Sequence, residues 1–90
     1  MDQELMLDGN AAAGLLEELF GRDMTMSLSL CANCGKQGEL ATSHAYVEVP
    51  GVVLRCASCE AVMLCIVEAP DAYYVDARGM RNLRIPRYSA

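Results

Sequence analysis

Four of the five cysteines stand in two pairs with two residues between the partners: Cys31 and Cys34, then Cys56 and Cys59. At this spacing one turn of chain can direct both sulfurs at the same ion, and two such turns complete a tetrahedral shell of four thiolates. The 21 residues from 35 to 55 are long enough for an outgoing and a returning strand that bring the pairs together. The pattern predicts a zinc ribbon, a small mainly-β domain of antiparallel strands around a four-cysteine site, with Zn²⁺ as the expected metal. Iron in a rubredoxin-like site uses similar turns and ligands, and it remains a less favoured alternative.

Two other uses of paired cysteines fit the sequence less well. Disulfides belong to secreted chains, but the N-terminus Met1-Asp2-Gln3-Glu4 is acidic where a signal peptide needs positive charge. A redox dithiol would explain one pair and leave the other unused, and no βαβ pattern surrounds either pair. A reduced, metal-bound protein in the cytoplasm is therefore the expectation.

Length and composition indicate one globular domain. The 90 residues, 53% of them hydrophobic, are enough for a single small core, which a bound metal would reinforce. We therefore expect one zinc-ribbon domain over residues 1–90. The longest apolar run, residues 61–67, is far short of the roughly 20 residues that cross a bilayer, so no membrane association is expected.

Charge is distributed unevenly along the chain. The formal net charge is -5, which argues against nucleic acid as a partner. Residues 1–76 carry 12 acidic side chains against three basic ones, whereas residues 77–90 carry no acid and four arginines: Arg78, Arg81, Arg84 and Arg87. Such asymmetry can mark a site for a protein partner, an internal contact with the acidic N-terminal segment, or simply a solvated charged surface.

The first element predicted is a helix over residues 8–20. Asp8 or Asn10 can cap its start, and Gly21 is placed to end it in a left-handed turn. Gly14 in its middle would permit close approach of a neighbouring backbone. The apolar side chains recur at helical spacing and form one stripe, which we expect to pack on the sheet or on a partner: Ala12, Leu15, Leu16, Leu19 and Phe20.

The remainder of the chain is predicted to form strands. Residues 24–30 alternate strictly, which predicts a strand with its Met and Leu side chains on one face. Each cysteine pair is expected at a strand end. The other predicted strands cover residues 42–49, 52–55, 61–67, 73–77 and 82–85.

Two further residues with chemical potential have mainly structural interpretations. Cys65 lies in an apolar strand, where a free cysteine is usually a small buried hydrophobe. His44, the only histidine, is not needed by a metal that has four thiolates, and a surface or cross-strand role is favoured. A single histidine remote from Cys65 is thin support for a Cys/His dyad, so no catalytic residue is assigned.

Residues beside the ligand pairs are suited to tune the site. Lys36 and Arg55 flank the cysteines and can offset part of the negative charge of four thiolates. Gly35 follows Cys34 and allows the backbone conformation that such turns often require. Glu60 stands at the equivalent place in the second pair and breaks this repeat.

Several motifs together resemble a known family. They are the helix segment 8–21, the Cys31/Cys34 turn, residues 53–59 and residues 74–79 with Asp76-x-Arg78-Gly79. The chain resembles, over residues 8–85, a family of small bacterial, chiefly actinobacterial, proteins of unknown function with a zinc-ribbon core. The resemblance implies a cytoplasmic metal-bound domain and carries over Cys31, Cys34, Cys56 and Cys59 as ligands, but it supplies no activity.

Three functions are compatible with this sequence. The favoured one is a non-enzymatic zinc-binding module that contacts a protein partner, or a second copy of itself, through the helix or the arginine-rich end. The alternatives are a nucleic-acid-associated accessory protein that uses the four arginines on phosphate, and a thiol redox or metal-handling protein that uses Cys65.

Overall fold

The computed structural model describes residues 6–48 and 50–87, and these form two antiparallel sheets and one short helix. The strands are β1 Leu7–Asp8, β2 Leu28–Cys31, β3 Gln37–Glu39, β4 His44–Glu48, β5 Gly51–Arg55, β6 Val62–Glu68, β7 Tyr73–Asp76 and β8 Met80–Arg84. A five-stranded sheet has the order β1-β4-β5-β6-β7, and a three-stranded sheet has the order β3-β2-β8. The mainly-β zinc-ribbon-like fold with an N-terminal helix is confirmed.

The chain between the cysteine pairs turns back on itself as predicted. β4 and β5 form a hairpin in which His44 lies opposite Arg55, so the hairpin returns the chain to the cysteine end of the molecule. The predicted strand over residues 42–49 is shorter than expected, because a 3-10 helix, Leu40–Thr42, comes before β4. Val49 lies outside the described residues.

The N-terminal helix has the predicted ends but a mixed geometry. It starts as a 3-10 helix, Gly9–Ala12, and continues as α1, Ala13–Phe20. The Asp8 side chain accepts a hydrogen bond from the Asn10 backbone N–H, and Gly21 adopts a φ of 75° as its N–H donates to the Glu17 carbonyl. Both capping predictions are confirmed.

The helix packs on the five-stranded sheet. The core contains two helix residues together with side chains from β4, β5 and β6: Ala12, Leu16, Ala45, Val52, Leu54, Leu64 and Ile66. Leu15 and Leu19 pack at its border, whereas Phe20 remains 42% exposed and does not complete the stripe. Most of the stripe is therefore buried within the chain. The prediction for Gly14 is wrong, because a Cβ there would meet nothing within 4 Å.

The strand predicted over residues 24–30 is wrong in its first half. Asp23 accepts hydrogen bonds from both the backbone N–H and the hydroxyl of Thr25, and the Ser27 N–H donates to the Met24 carbonyl. These local bonds make a turn, which competes with strand pairing. As a result Met24 is buried while Met26 is 60% exposed, so they do not share a face.

Several element boundaries differ less. The strands predicted at 52–55, 61–67, 73–77 and 82–85 correspond to β5, β6, β7 and β8 with shifts of one or two residues. β1 and β3, of two and three residues, were not predicted, because segments this short carry no alternation. No helix within the described ranges is long and apolar enough to span a membrane.

Candidate metal centre

The two cysteine pairs meet at one point, as their spacing predicted. The Sγ atoms of Cys31, Cys34, Cys56 and Cys59 all lie within 4.8 Å of one another. Cys31 and Cys56 are buried, Cys59 is partly buried and Cys34 is exposed, so the cluster lies at the edge of the protein with one sulfur facing solvent. Beneath it, Met63 is buried against Cys31 and Cys56.

The sulfur separations fit a metal better than disulfides. Cys31 Sγ lies 3.7 Å from Cys59 Sγ, and Cys34 Sγ lies 3.7 Å from Cys56 Sγ. A disulfide requires about 2.05 Å between the sulfurs. A tetrahedron with metal–sulfur bonds of about 2.3 Å has edges of about 3.8 Å, close to both observed separations. The residues present therefore suit a tetrahedral, thiophilic ion.

The two cysteine turns have the same backbone geometry. In the first, the Cys31 N–H donates to the Lys36 carbonyl (2.9 Å) and the Gly35 N–H donates to the Cys31 carbonyl (2.9 Å). In the second, the Cys56 N–H donates to the Ala61 carbonyl (2.9 Å) and the Glu60 N–H donates to the Cys56 carbonyl (2.8 Å). Each turn thus repeats the other, residue for residue.

Glu60 completes this repeat despite its side chain. Gly35 has a φ of 78° and Glu60 a φ of 67°, the only non-glycine residue with positive φ among those described. The left-handed region costs a residue with a Cβ on the order of 1 to 2 kcal/mol. The expectation that Glu60 breaks the repeat is therefore wrong, because Glu60 adopts the left-handed conformation of Gly35 in spite of this strain.

Contacts from β4 and β5 hold Glu60 in place. Its carboxylate accepts hydrogen bonds from the His44 ring Nδ1 and, at 3.4 Å, from the Tyr46 hydroxyl. Its carbonyl accepts a hydrogen bond of 2.9 Å from the Arg55 guanidinium, which also lies over the Tyr46 ring. We call His44, Tyr46, Arg55 and Glu60 the hairpin clamp. In it the Arg55 guanidinium donates to the Glu60 carbonyl, and His44 contacts the second cysteine turn at the surface and is not part of the converging ligand set.

Matched variants at Glu60 separate backbone strain from side-chain contacts. Glu60→Ala removes the carboxylate contacts and keeps the strain, whereas Glu60→Gly removes both. We expect Glu60→Gly to be more stable than Glu60→Ala by about 1 kcal/mol, measured by denaturant unfolding of metal-loaded protein. A Cβ at Gly35 would meet nothing within 4 Å, but the residue has a φ of 78°. Gly35→Ala should therefore lose a similar amount of stability. Equal stability of the two Glu60 variants would contradict the strain.

Hydrogen-bond donors surround the sulfurs. The Asn33 N–H lies 3.4 Å from Cys31 Sγ, and the Ser58 N–H lies 3.4 Å from Cys56 Sγ. The Asn33 side-chain amide reaches across to Cys59 Sγ at 3.4 Å. Such donors stabilise thiolates and orient metal ligands. Sequence reasoning missed Asn33, whose only signal was its position between two ligands.

The donors make the sulfurs unequal. Hydrogen bonds from the Asn33 side-chain amide and then the Ala61 N–H lower the pKa of Cys59 to about 6. At Cys34 the Lys36 N–H lowers the pKa, but desolvation and the neighbouring cysteine sulfurs outweigh it and raise the pKa to about 11. Hydrogen bonding thus favours the thiolate at Cys59, whereas the surroundings of Cys34 favour its thiol.

The Asp76-x-Arg78-Gly79 motif supports the first cysteine turn. Asp76 accepts hydrogen bonds from the Arg78 guanidinium (2.7 Å) and from the Arg78 N–H (3.0 Å), which in that order lower the pKa of Asp76 to about 2. The Gly79 carbonyl then accepts the Ala32 N–H at 2.8 Å, one residue after Cys31. This motif therefore joins β7 to β8 and supports the first cysteine turn, whereas the hairpin clamp contacts the second.

Cys65 lies apart from the cluster. It is partly buried on β6, opposite Val53 on β5 and Asp76 on β7, and its sulfur is not among the four that converge. The sequence favoured a small buried hydrophobe here, but Cys65 is only partly buried and belongs to neither core cluster of the described residues.

A cleft of about 320 Å³ adjoins the cluster. Cys56 and Met63 line it together with residues from β2, β3, both cysteine turns and the segment before β4: Ser29, Lys36, Gln37, Gly38, Glu39, Thr42, Ser43, Ala57 and Ser58. Lys36 thus lines the cleft beside the site. This cleft could not be predicted from the sequence, because its walls come from segments that are distant along the chain.

Comparison with known proteins identifies the family. The chain belongs to a family of unknown function (DUF6510), which matches residues 1–88. No curated protein and no solved structure matches the chain.

Proposed function

We propose that this member of the DUF6510 family is a non-enzymatic, zinc-binding module that contacts other proteins. The observation that supports it is the convergence of four sulfurs from two identical turns. Four thiolates fill the coordination shell of Zn²⁺ and leave no position for water or substrate, which is the arrangement of a structural site. Zn²⁺ is preferred over iron because it suits a tetrahedral thiolate shell without any redox role.

Cytoplasmic location forms part of the same proposal. The cysteines are free thiols, and their separations suit metal ligation, which a reducing compartment preserves. A bacterial, chiefly actinobacterial, range is proposed from the sequence resemblance alone.

The arginine-bearing end offers a surface for an acidic protein partner. β8 is an edge strand of the three-stranded sheet, and the side chains of Arg81 and Arg84 are exposed on it. Unpaired backbone groups at an edge and fixed positive charges suit an extended acidic segment. The helix stripe is a weaker candidate, because Leu16 is fully buried within the chain.

Metal analysis tests the first half of this proposal. We expect purified protein to carry one Zn²⁺ per chain and to unfold when a strong chelator removes it, because structural zinc couples binding to folding. Iron in its place would correct the metal identity. Folded, reduced protein with less than about 0.2 metal ions per chain would contradict the structural site.

Salt-dependent binding tests the choice of partner. We predict no micromolar binding to duplex or single-stranded nucleic acid at about 0.15 M salt, since the chain carries a formal charge of -5. Arg81→Ala combined with Arg84→Ala should reduce capture of acidic proteins while leaving zinc content unchanged. Micromolar nucleic-acid binding that falls steeply with salt and is abolished by this double variant would instead support the nucleic-acid function.

A further inference from the structure

β7 forms an unprotected edge of the five-stranded sheet. It pairs with β6 on one side, and no other strand of the described residues pairs with its second side. Three large side chains in succession are exposed there: Tyr73 by 37%, Tyr74 by 64% and Val75 by 48%. Natural proteins usually protect such edges with charge, proline or a bulge, so an apolar edge of this kind is a template for another strand.

The β6–β7 turn determines which backbone groups of β7 are free. The Ala69 N–H donates to the Ala72 carbonyl at 2.8 Å, so these two residues form a hydrogen-bonded pair. Hydrogen-bonded and non-hydrogen-bonded pairs alternate along an antiparallel ladder. Val67 and Tyr74 are consequently the next hydrogen-bonded pair, and the backbone groups of Tyr73 and Val75 point to the free edge.

These free groups match a second copy of the same strand. When two β7 strands are placed antiparallel with Tyr74 opposite Tyr74, Tyr73 of each copy lies opposite Val75 of the other. The backbone groups of Tyr73 and Val75, which point to the free edge, then form hydrogen-bonded pairs with the other copy. The two pairs give four backbone hydrogen bonds. In this register, residues that lie opposite each other point to the same face of the sheet. The outer faces of the two five-stranded sheets therefore lie on the same side of the joined sheet.

The side chains are compatible with the same arrangement. The two Tyr74 rings meet on the outer face, each beside the exposed Val67 of its own copy. Asp76 and Arg78 at the end of the strand are ion-paired with each other, so antiparallel pairing places a neutral pair near Asp71 of the other copy. On the inner face, Tyr73 is fixed by its hydrogen bond to Glu18 of α1, which raises the pKa of Tyr73 to about 12 and keeps the phenol neutral.

We propose that the chain forms a homodimer in which two β7 strands pair antiparallel about Tyr74 and join the two five-stranded sheets into one of ten strands. This interface specifies one protein partner for the proposed function, namely a second copy of the chain. It rests on the proposed function only because the dimer requires the folded, metal-loaded chain. A single strand pair buries less than a standard interface of about 1,200 to 2,000 Å², so the dimer should be weak.

Sedimentation or light scattering of the zinc-loaded chain, between about 1 µM and 1 mM, tests the dimer. We expect the mass to rise with concentration from 9.7 kDa towards twice that value. Val75→Pro removes an outward N–H at a tolerated edge position, and Tyr74→Lys places two like charges at the axis. Each should abolish dimerisation at constant zinc content. Met26→Lys, at a residue 60% exposed in the loop before β2, should have no effect.

Mixing charge variants gives the most specific result. Tyr74→Lys and Tyr74→Glu should each remain monomeric alone, and an equimolar mixture should form a dimer because opposite charges then meet at the axis. A chain that stays monomeric at every concentration would overturn the proposal, even if it binds an added extended peptide at β7. So would a dimer that survives Val75→Pro and Tyr74→Lys, or a charge mixture that stays monomeric. Because zinc content is measured in parallel, failure of this interface is distinguishable from failure of the metal site.

Discussion

Replacing Cys34 or Cys59 by serine is expected to remove the metal and to unfold or aggregate the protein. The sulfurs of these residues belong to the cluster in which all four Sγ atoms lie within 4.8 Å. Apparent zinc-binding energies of about 10 to 16 kcal/mol are comparable with the whole stability of a small domain, about 5 to 15 kcal/mol. Losing one ligand should therefore exceed what the core alone can compensate. Zinc content and far-ultraviolet circular dichroism of the purified variants measure both effects.

Cys65→Ser is the matched control for these variants. The residue has the same chemistry but lies outside the converging sulfurs, on β6. We expect it to keep one metal ion per chain and a cooperative unfolding transition. Loss of metal in this variant would show that the ligand set is wrong and would favour a metal-handling function for Cys65.

Adding a methyl group at Gly9 or Gly79 is expected to produce the second largest effect. A Cβ at Gly9 would lie 1.7 Å from the Leu40 carbonyl oxygen, and one at Gly79 would lie 1.9 Å from the Val62 carbonyl oxygen. Both obstacles are backbone atoms, which cannot rotate away as a side chain would. Gly9→Ala and Gly79→Ala should each lose roughly 3 kcal/mol or more, at or beyond the upper end of ordinary overpacking. Denaturant unfolding of metal-loaded protein measures the loss.

Gly14→Ala provides the opposite result from the same chemical change. It lies in α1, and a Cβ there meets nothing within 4 Å. We expect a gain of about 0.5 to 1 kcal/mol, since alanine loses less conformational entropy than glycine in a helix. Wild-type stability of Gly9→Ala, or a loss in Gly14→Ala as large as that in Gly9→Ala, would refute the close contacts.

These glycines also explain two motifs that the sequence left without a purpose. In the helix motif, Asp8 caps the first turn and Gly9 lets that turn rest on the backbone at Leu40. In the Asp76-x-Arg78-Gly79 motif, Gly79 rests on Val62 and its carbonyl accepts the Ala32 N–H in the first cysteine turn. Both motifs therefore act in assembling the fold and bracing the cluster.

The sequence by itself determined the features that depend on local spacing. Two residues between cysteines are enough to specify each turn, and Asp8 and Gly21 are enough to specify the ends of the helix, because the interacting groups are neighbours in the chain. The returning β4–β5 hairpin followed from the length between the cysteine pairs. The four sulfurs could thus be predicted to converge without knowledge of the sheets.

Only the tertiary structure decided how distant segments meet. It assigned β7 and β8, adjacent in sequence, to the edges of two different sheets of the described residues, and it paired the two-residue strand β1 with β4. It also brought His44, on β4, against the carboxylate of Glu60 in the second cysteine turn. Strand register and backbone contacts between remote segments depend on the packing of the whole chain, so no local pattern of residues encodes them.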